Sequence, residues 1–82
     1  MRIVVTQEDI DKGFIRDAER CVIAQSFLRR NTNSYPVIGL ETLSYNDKKG
    51  FYCNKRMTQP MKDFIDDFDN GKPVKPTTFY LK

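Results

Sequence analysis

The sequence predicts a small α+β domain in which short strands alternate with two main helices. Three observations lead to this fold class. The chain starts with a β-branched run, its middle carries a hairpin signal, and its C-terminal third combines a helical apolar stripe with an alternating segment. At 82 residues the chain has the length of one small domain, so we expect residues 1–82 to share a single thin core.

The N-terminal elements are a strand and a short helix. Residues 3–5 are all β-branched, which favours a strand. Thr6 is a good helix N-cap, and Asp9 stands three residues later as in a capping box. We therefore expect a helix over residues 7–12 that ends at Gly13 in a left-handed conformation.

A second helix is predicted over residues 17–31. Its apolar residues form two adjoining stripes, and its charges match the helix dipole, with acids near the start and Arg29 and Arg30 near the end. The two stripes are Cys21, Ala24 and Leu28, and Ile23 and Phe27.

The middle of the chain predicts a β-hairpin. Residues 36–45 form the first strand, with a bend at Gly39, and residues 51–55 return as its partner. The loop over residues 46–50 ends in Gly50, which can adopt the positive φ that closes such a turn.

The last helix and strand follow the hairpin. Thr58 is the expected N-cap, Pro60 lies in the first turn, and apolar residues recur at helical spacing from Met61 to Phe68. Asn70 and Gly71 end this helix. Residues 77–81 alternate and predict a final strand.

The resulting order is βαββαβ, which predicts a small antiparallel sheet with the two main helices on one face. Two right-handed split crossovers would give a four-stranded sheet of the ferredoxin-like type. A smaller sheet, with the last strand at an edge and the helices splayed around it, is the alternative.

The composition argues against catalysis. The chain has no histidine, so it lacks the commonest general base and the commonest zinc ligand. Cys21 and Cys53 are too few for a four-ligand metal site and are expected to be separate thiols. We therefore expect neither an enzyme nor a bound cofactor.

A basic, aromatic hairpin is the first candidate binding site. Lys48, Lys49, Lys55 and Arg56 flank Phe51 and Tyr52, a combination that suits a phosphate backbone and a stacked base. The run Lys49-Gly50-Phe51 resembles the opening of the RNP1 signature of RNA-recognition modules. The resemblance stops there, because Tyr52 replaces a small residue and Cys53 an aromatic. A solvated hairpin tip is the simpler reading.

Two further surfaces are candidates for partner binding. The last helix carries an acidic face, which is a solvated surface, a mimic of phosphate charge or a hard-cation site, although its spacing does not match a calcium loop. Its members are Asp63, Asp66, Asp67 and Asp69. In a sheet covered on one side, the open face would present tyrosines, a residue type enriched at interfaces. The tyrosines expected there are Tyr45, Tyr52 and Tyr80.

The start of the chain does not resemble a signal peptide, since residues 2–5 lead directly into an acidic segment. No apolar run approaches the roughly 20 residues that span a bilayer. We expect a cytoplasmic protein that does not enter the membrane.

Both ends of the chain resemble small proteins of tailed bacteriophages. The N-terminal segment reads V-T-Q-E-D-I-D-K-G, the next C-V-I-A from Cys21, and the C-terminal one matches F-D-x-G-x-P-V-x-P-x-x-F. The phage proteins often have proline where this chain has Val22, which would start the second helix at Cys21. The resemblance implies a phage origin without an assigned activity.

Together these features predict a non-enzymatic phage protein that binds and inhibits a host protein or defence complex, such as a CRISPR effector. A single-stranded nucleic-acid-binding module that uses the basic hairpin is the alternative. A homodimer formed through an edge strand or the open face is a third reading.

Overall fold

The computed structural model describes residues 1–82 as five strands and three helices, which confirms the α+β class. The strands form two separate antiparallel sheets, one with the order β1-β5 and one with the order β2-β3-β4. In chain order the elements are β1 (Arg2–Val5), α1 (Gln7–Lys12), α2 (Val22–Arg30), β2 (Val37–Ile38), β3 (Thr42–Asn46), β4 (Tyr52–Arg56), α3 (Gln59–Asp69) and β5 (Thr77–Tyr80).

The ferredoxin-like sheet is not formed, because β1 and β4 do not pair. The β1–β5 and β3–β4 pairings that this arrangement needs are both present. The free edge of β1 is occupied by two side chains of α2 instead. Arg29 Nη2 donates to the Val4 carbonyl at 3.0 Å, and Arg30 Nη1 donates to the Arg2 carbonyl at 3.2 Å. Alternate carbonyls of a strand point to the same edge, so these contacts block further strand pairing there.

The core lies between α2, α3 and the inner faces of the two sheets. α2 contributes Val22, Ile23, Ala24 and Phe27, all of them buried. On the other side, Phe64 of α3 packs edge-on against Phe79 of β5, with ring centroids 5.4 Å apart. The thirteen buried apolar residues form one cluster, which joins the two sheets through the helices rather than through strand pairing.

The predicted capping box of α1 is present and the helix ends at Gly13 as predicted, but the predicted conformation of Gly13 is wrong. Thr6 Oγ1 accepts the Asp9 N–H at 3.3 Å, and the Asp9 carboxylate accepts the Thr6 N–H at 2.9 Å. Gly13 is extended, with φ −69°, instead of left-handed. Glycine is required here because it has no side chain: a Cβ at Gly13 would lie 2.7 Å from a methyl carbon of Val22.

The second helix begins at Val22, with Cys21 as its N-cap, and not at Asp17. Asp17 Oδ1 accepts the N–H groups of Glu19 and Arg20 at 2.9 and 3.1 Å. This side chain offers the backbone a turn in place of a helix, as aspartate commonly does. The later start is the one implied by the resemblance to phage proteins.

The segment predicted as one strand over residues 36–45 is two strands. The bend expected at Gly39 is a full chain reversal, closed by the Gly39 N–H donating to the Thr42 carbonyl at 2.9 Å. β2 then pairs antiparallel with β3, matching Val37 with Ser44. The reversal leaves Leu40 at its tip, 91% exposed.

The third helix and the last strand agree closely with prediction. α3 has Pro60 in its first turn and ends before Gly71, whose φ is +76°. Thr58 occupies the N-cap position, but its side chain makes no capping hydrogen bond. None of the three helices combines the length and apolar character that a bilayer crossing requires.

Candidate binding face and hairpin

The hairpin between β3 and β4 is organised by Asp47. Its Oδ1 atom accepts the N–H groups of Lys49 and Phe51, both at 2.9 Å. Gly50 has φ +86°, the positive value that the sequence predicted. These hydrogen bonds hold the backbone of the hairpin tip, at which Lys48, Lys49 and Phe51 are exposed.

One face of the β2-β3-β4 sheet is uncovered and is called the open face here. Residues that pair across antiparallel strands share a face, so the register defines its members. Apart from two half-buried positions, Ser44 and Asn46, these side chains are exposed. The open face consists of Val37, Thr42, Ser44, Asn46, Tyr52, Asn54 and Arg56.

Tyr52 is the largest side chain of the open face and is 70% exposed. Asn54 Nδ2 lies 3.5 Å from the Tyr52 hydroxyl, at the limit of a hydrogen bond. Arg56 is the open face's one charged side chain. It stands four residues along β4 from Tyr52, which corresponds to about 13 Å.

Tyr45 does not lie on the open face, so that part of the prediction is wrong. It points to the inner side, where its ring packs against Phe27 with centroids 4.7 Å apart. Burial raises the pKa of the Tyr45 phenol, and the neighbouring Cys53 raises it further. The reason for the error is register: Tyr45 pairs with Cys53 and shares its half-buried side, whereas Tyr52 pairs with Asn46.

Tyr80 lies in the other sheet, where it pairs with Arg2 and is 70% exposed. The prediction that Tyr45, Tyr52 and Tyr80 share one face is therefore wrong, because Tyr80 lies in a different sheet from Tyr52 and the register turns Tyr45 to the inner side. Lys55 also turns away, since it pairs with the buried Leu43. The structure thus groups Lys48, Lys49, Phe51 and Tyr52 near the hairpin and leaves Lys55 on the inner side.

The acidic candidates lie along α3 and are held by their neighbours. Gln59 Nε2 donates to Asp63 at 2.8 Å, Asn70 Nδ2 donates to Asp66 at 3.3 Å, and Lys72 Nζ lies 3.8 Å from Asp67. Such local contacts are typical of a solvated helix face. No group of three or more metal-ligating side chains is present in the structure. Cys21 and Cys53 are free thiols.

Leu40 and Tyr35 are exposed but were not among the predicted binding residues. The exposure of Leu40 was not predicted because Gly39 was interpreted as a bend inside one strand. A chain reversal at Gly39 would have placed Leu40 at the tip of a turn. Tyr35 is 69% exposed with φ +46°, an uncommon conformation for an aromatic residue. It lies next to Val37, at the edge of the open face.

No family model, curated protein or solved structure matches the chain. Function is therefore inferred from the residues and geometry of this chain. The resemblance of its two ends to proteins of tailed bacteriophages stays a prediction.

Proposed function

We propose that the protein is a non-enzymatic binding protein whose open face and hairpin tip contact a partner protein. The observation that carries this proposal is the uncovered sheet face with Tyr52 at 70% exposure. A sheet of three short strands whose one side packs on the core presents its other side as a flat, ready-formed surface. Binding to such a surface requires little ordering of the backbone.

The composition of the open face favours a protein over other ligands. Its side chains are mostly serine, threonine, asparagine and tyrosine, the types that dominate adaptable protein-binding surfaces. Tyrosine supplies a large contact area with two rotatable side-chain angles, while the short polar residues supply hydrogen bonds. Tyr52 is the expected anchor, with Phe51 beside it at the hairpin.

The charges indicate an acidic partner surface. Arg56 at one end and Lys48 and Lys49 at the other are exposed and positive. Glu41, the residue before β3, has its carboxylate within electrostatic range of Arg56, but Lys62 Nζ already binds this carboxylate at 2.8 Å. The open face and the hairpin tip together therefore present net positive charge, which steers association with an acidic patch.

Because the chain ends resemble those of tailed-phage proteins, we infer that the partner is a host protein and that binding inhibits it. A defence complex, such as a CRISPR effector, is a target of this kind. The reading also fits a cytoplasmic protein without a cofactor.

A single-stranded nucleic-acid-binding module remains the second candidate. Lys48 and Lys49 lie beside Phe51, which is 66% exposed, and this arrangement suits one stacked base and its phosphates. Lys55 faces the other side of the sheet and Arg56 lies at the far end of β4, so only part of the predicted basic patch is available to one strand.

The two candidates are separated by a pull-down of the tagged protein from a bacterial host lysate, with and without nuclease. A stoichiometric protein that survives nuclease supports the proposal. Bound material that disappears with nuclease supports the second candidate. The salt dependence gives a further readout, because a single strand held by two or three phosphate contacts should lose about tenfold in affinity between about 50 and 200 mM salt.

A further inference from the structure

A cavity of about 300 Å³ lies between β1, α2 and the hairpin, away from the open face. Its apolar wall includes Ile3 and the packed rings of Phe27 and Tyr45. This volume is at the lower end of the range for small-molecule sites. It is also about twice the volume of an apolar cavity that holds benzene. A ligand of one or two rings fits.

The charged side chains that line the cavity are mainly cationic. Arg2, Arg30 and Lys48 are exposed and contribute three positive charges. Asp47 is the only acidic residue of the lining, and its Oδ1 atom is already occupied by the two hairpin N–H groups. A cation would be repelled at this opening, whereas an anion would gain charge-assisted contacts with arginine and lysine.

Ser34 adds an independent indication of a ligand. Ser34 lies in the cavity wall and is 1% exposed, and its Oγ atom, which has almost no accessible surface, is the one buried side-chain polar atom without a hydrogen-bond partner. Ser26 also lines the cavity, but its hydroxyl donates to the Ile23 carbonyl at 2.6 Å. An unpaired buried hydroxyl is costly and uncommon, so its place in the wall of a cationic cavity calls for a partner.

We propose that this cavity binds a small aromatic anion. The ring lies against Phe27 and Tyr45, and the anionic group lies near Arg30 and Lys48. The Ser34 hydroxyl pairs with a polar atom of the ligand after rotating about its Cα–Cβ bond to face the cavity. Aromatic carboxylates and aromatic phosphates share this chemistry. The inference goes beyond the proposed function, because it concerns a cavity that shares only Lys48 with the proposed partner-binding surface and does not depend on a protein partner.

The test is an NMR titration of the full chain with 2-naphthoate, 2-naphthyl phosphate, the neutral analogue 2-naphthalenemethanol, and inorganic phosphate. We expect shifts around Phe27, Ser34 and Tyr45, and a dissociation constant of about 1 mM or lower for one of the two aromatic anions. The preferred anion identifies the source class. Equal affinity for the neutral analogue, or for inorganic phosphate alone, would overturn the proposal. So would the absence of shifts with both aromatic anions.

Matched variants locate the site. Lys48→Gln should weaken binding about tenfold, the factor that corresponds to 1.4 kcal/mol. Lys75→Gln removes the same charge from an exposed position outside the cavity, and its affinity should stay within about twofold of the wild type. Equal loss in both variants would show that the anion responds only to net charge, which would contradict the proposal.

Ser34→Ala tests the unpaired hydroxyl without relying on charge. Removing a buried unsatisfied group should raise the Tm of the ligand-free protein by about 4–8 °C. The same variant should bind the aromatic anion more weakly than the wild type. A lower Tm would show that the hydroxyl already has a partner, and unchanged affinity would show that the ligand does not contact it. Either result removes Ser34 from the site.

Discussion

Asp9 is the residue on which the N-terminal half depends most. Its side chain is buried, yet every polar contact it needs is met: it caps α1 and binds Arg29 with both oxygens, at 3.1 and 3.2 Å. Arg29 also donates to the Val4 carbonyl of β1. One carboxylate and one guanidinium thereby hold β1, α1 and α2 together.

Asp9→Ala is expected to lower the free energy of unfolding by about 2 kcal/mol, because it removes one half of the capping box and the carboxylate that Arg29 binds. Urea unfolding measures the loss. Asp11→Ala removes an exposed carboxylate from the same helix and should cost no more than about 0.5 kcal/mol. Similar losses in the two variants would show that the Asp9–Arg29 pair contributes no more to stability than an exposed carboxylate does.

Stability should decrease at alkaline pH because of Cys21 and Tyr45. Burial raises the pKa of Cys21 above its ordinary value of 9.0, and the pKa of Tyr45 above 10.0. The folded state then holds these protons more tightly than the unfolded state. Their contribution is complete below about pH 9 and is lost as the pH rises through the folded-state values.

The measurement is the free energy of unfolding in urea between pH 7.5 and about 10.5, the range that spans both ordinary pKa values. The wild type should be level at first and then lose stability above about pH 9. Cys21→Ala should remove the earlier part of this decrease, and Tyr45→Phe the later part. An identical decrease in the double variant would assign it to other groups.

At the scale of single elements, local signals in the sequence were sufficient where one segment decides its own structure. The capping box of α1, the apolar stripe of α3 and the Gly50 turn all act within a few residues, and they were predicted correctly. The start of α2 was predicted wrongly, because an aspartate such as Asp17 can either begin a helix or accept hydrogen bonds in a turn. The bend at Gly39 was predicted wrongly for a similar reason, since a glycine within an apolar segment is compatible with a bend in one strand and with a reversal between two strands.

The hairpin offers the clearest prediction at this scale. Asp47→Ala removes an acceptor shared by two backbone N–H groups and should lower the free energy of unfolding by about 1 kcal/mol. The amide of Phe51 should also exchange faster with solvent. Asp47→Asn keeps an acceptor oxygen and should recover most of the loss, whereas Lys49→Ala should change little. An equal effect of Asn and Ala would show that the oxygen is not what organises the turn.

At the scale of the whole molecule, the pairing of the sheets was beyond the reach of the sequence. The contacts that block the edge of β1 join residues 25 and 28 positions apart in the sequence. They are made by Arg29 and Arg30, and in the sequence the place of these two arginines at the end of a helix was already accounted for by the helix dipole. Because β1 does not pair with β4, Tyr80 lies in a different sheet from Tyr52, and within the β2-β3-β4 sheet Tyr45 faces the inner side. Of the predicted binding residues, the structure groups those at the hairpin and separates the rest.

Tyr52 and Tyr80 provide a matched pair for the central claim, because both are 70% exposed and they lie in different sheets. The most direct measurement is a parallel pull-down from nuclease-treated host lysate with the wild type, Tyr52→Ala and Tyr80→Ala, after confirming that all three unfold at similar temperatures. We predict a protein that the wild type and Tyr80→Ala retain and Tyr52→Ala loses. A partner lost only with Tyr80→Ala, or retained by all three, would contradict binding through the open face.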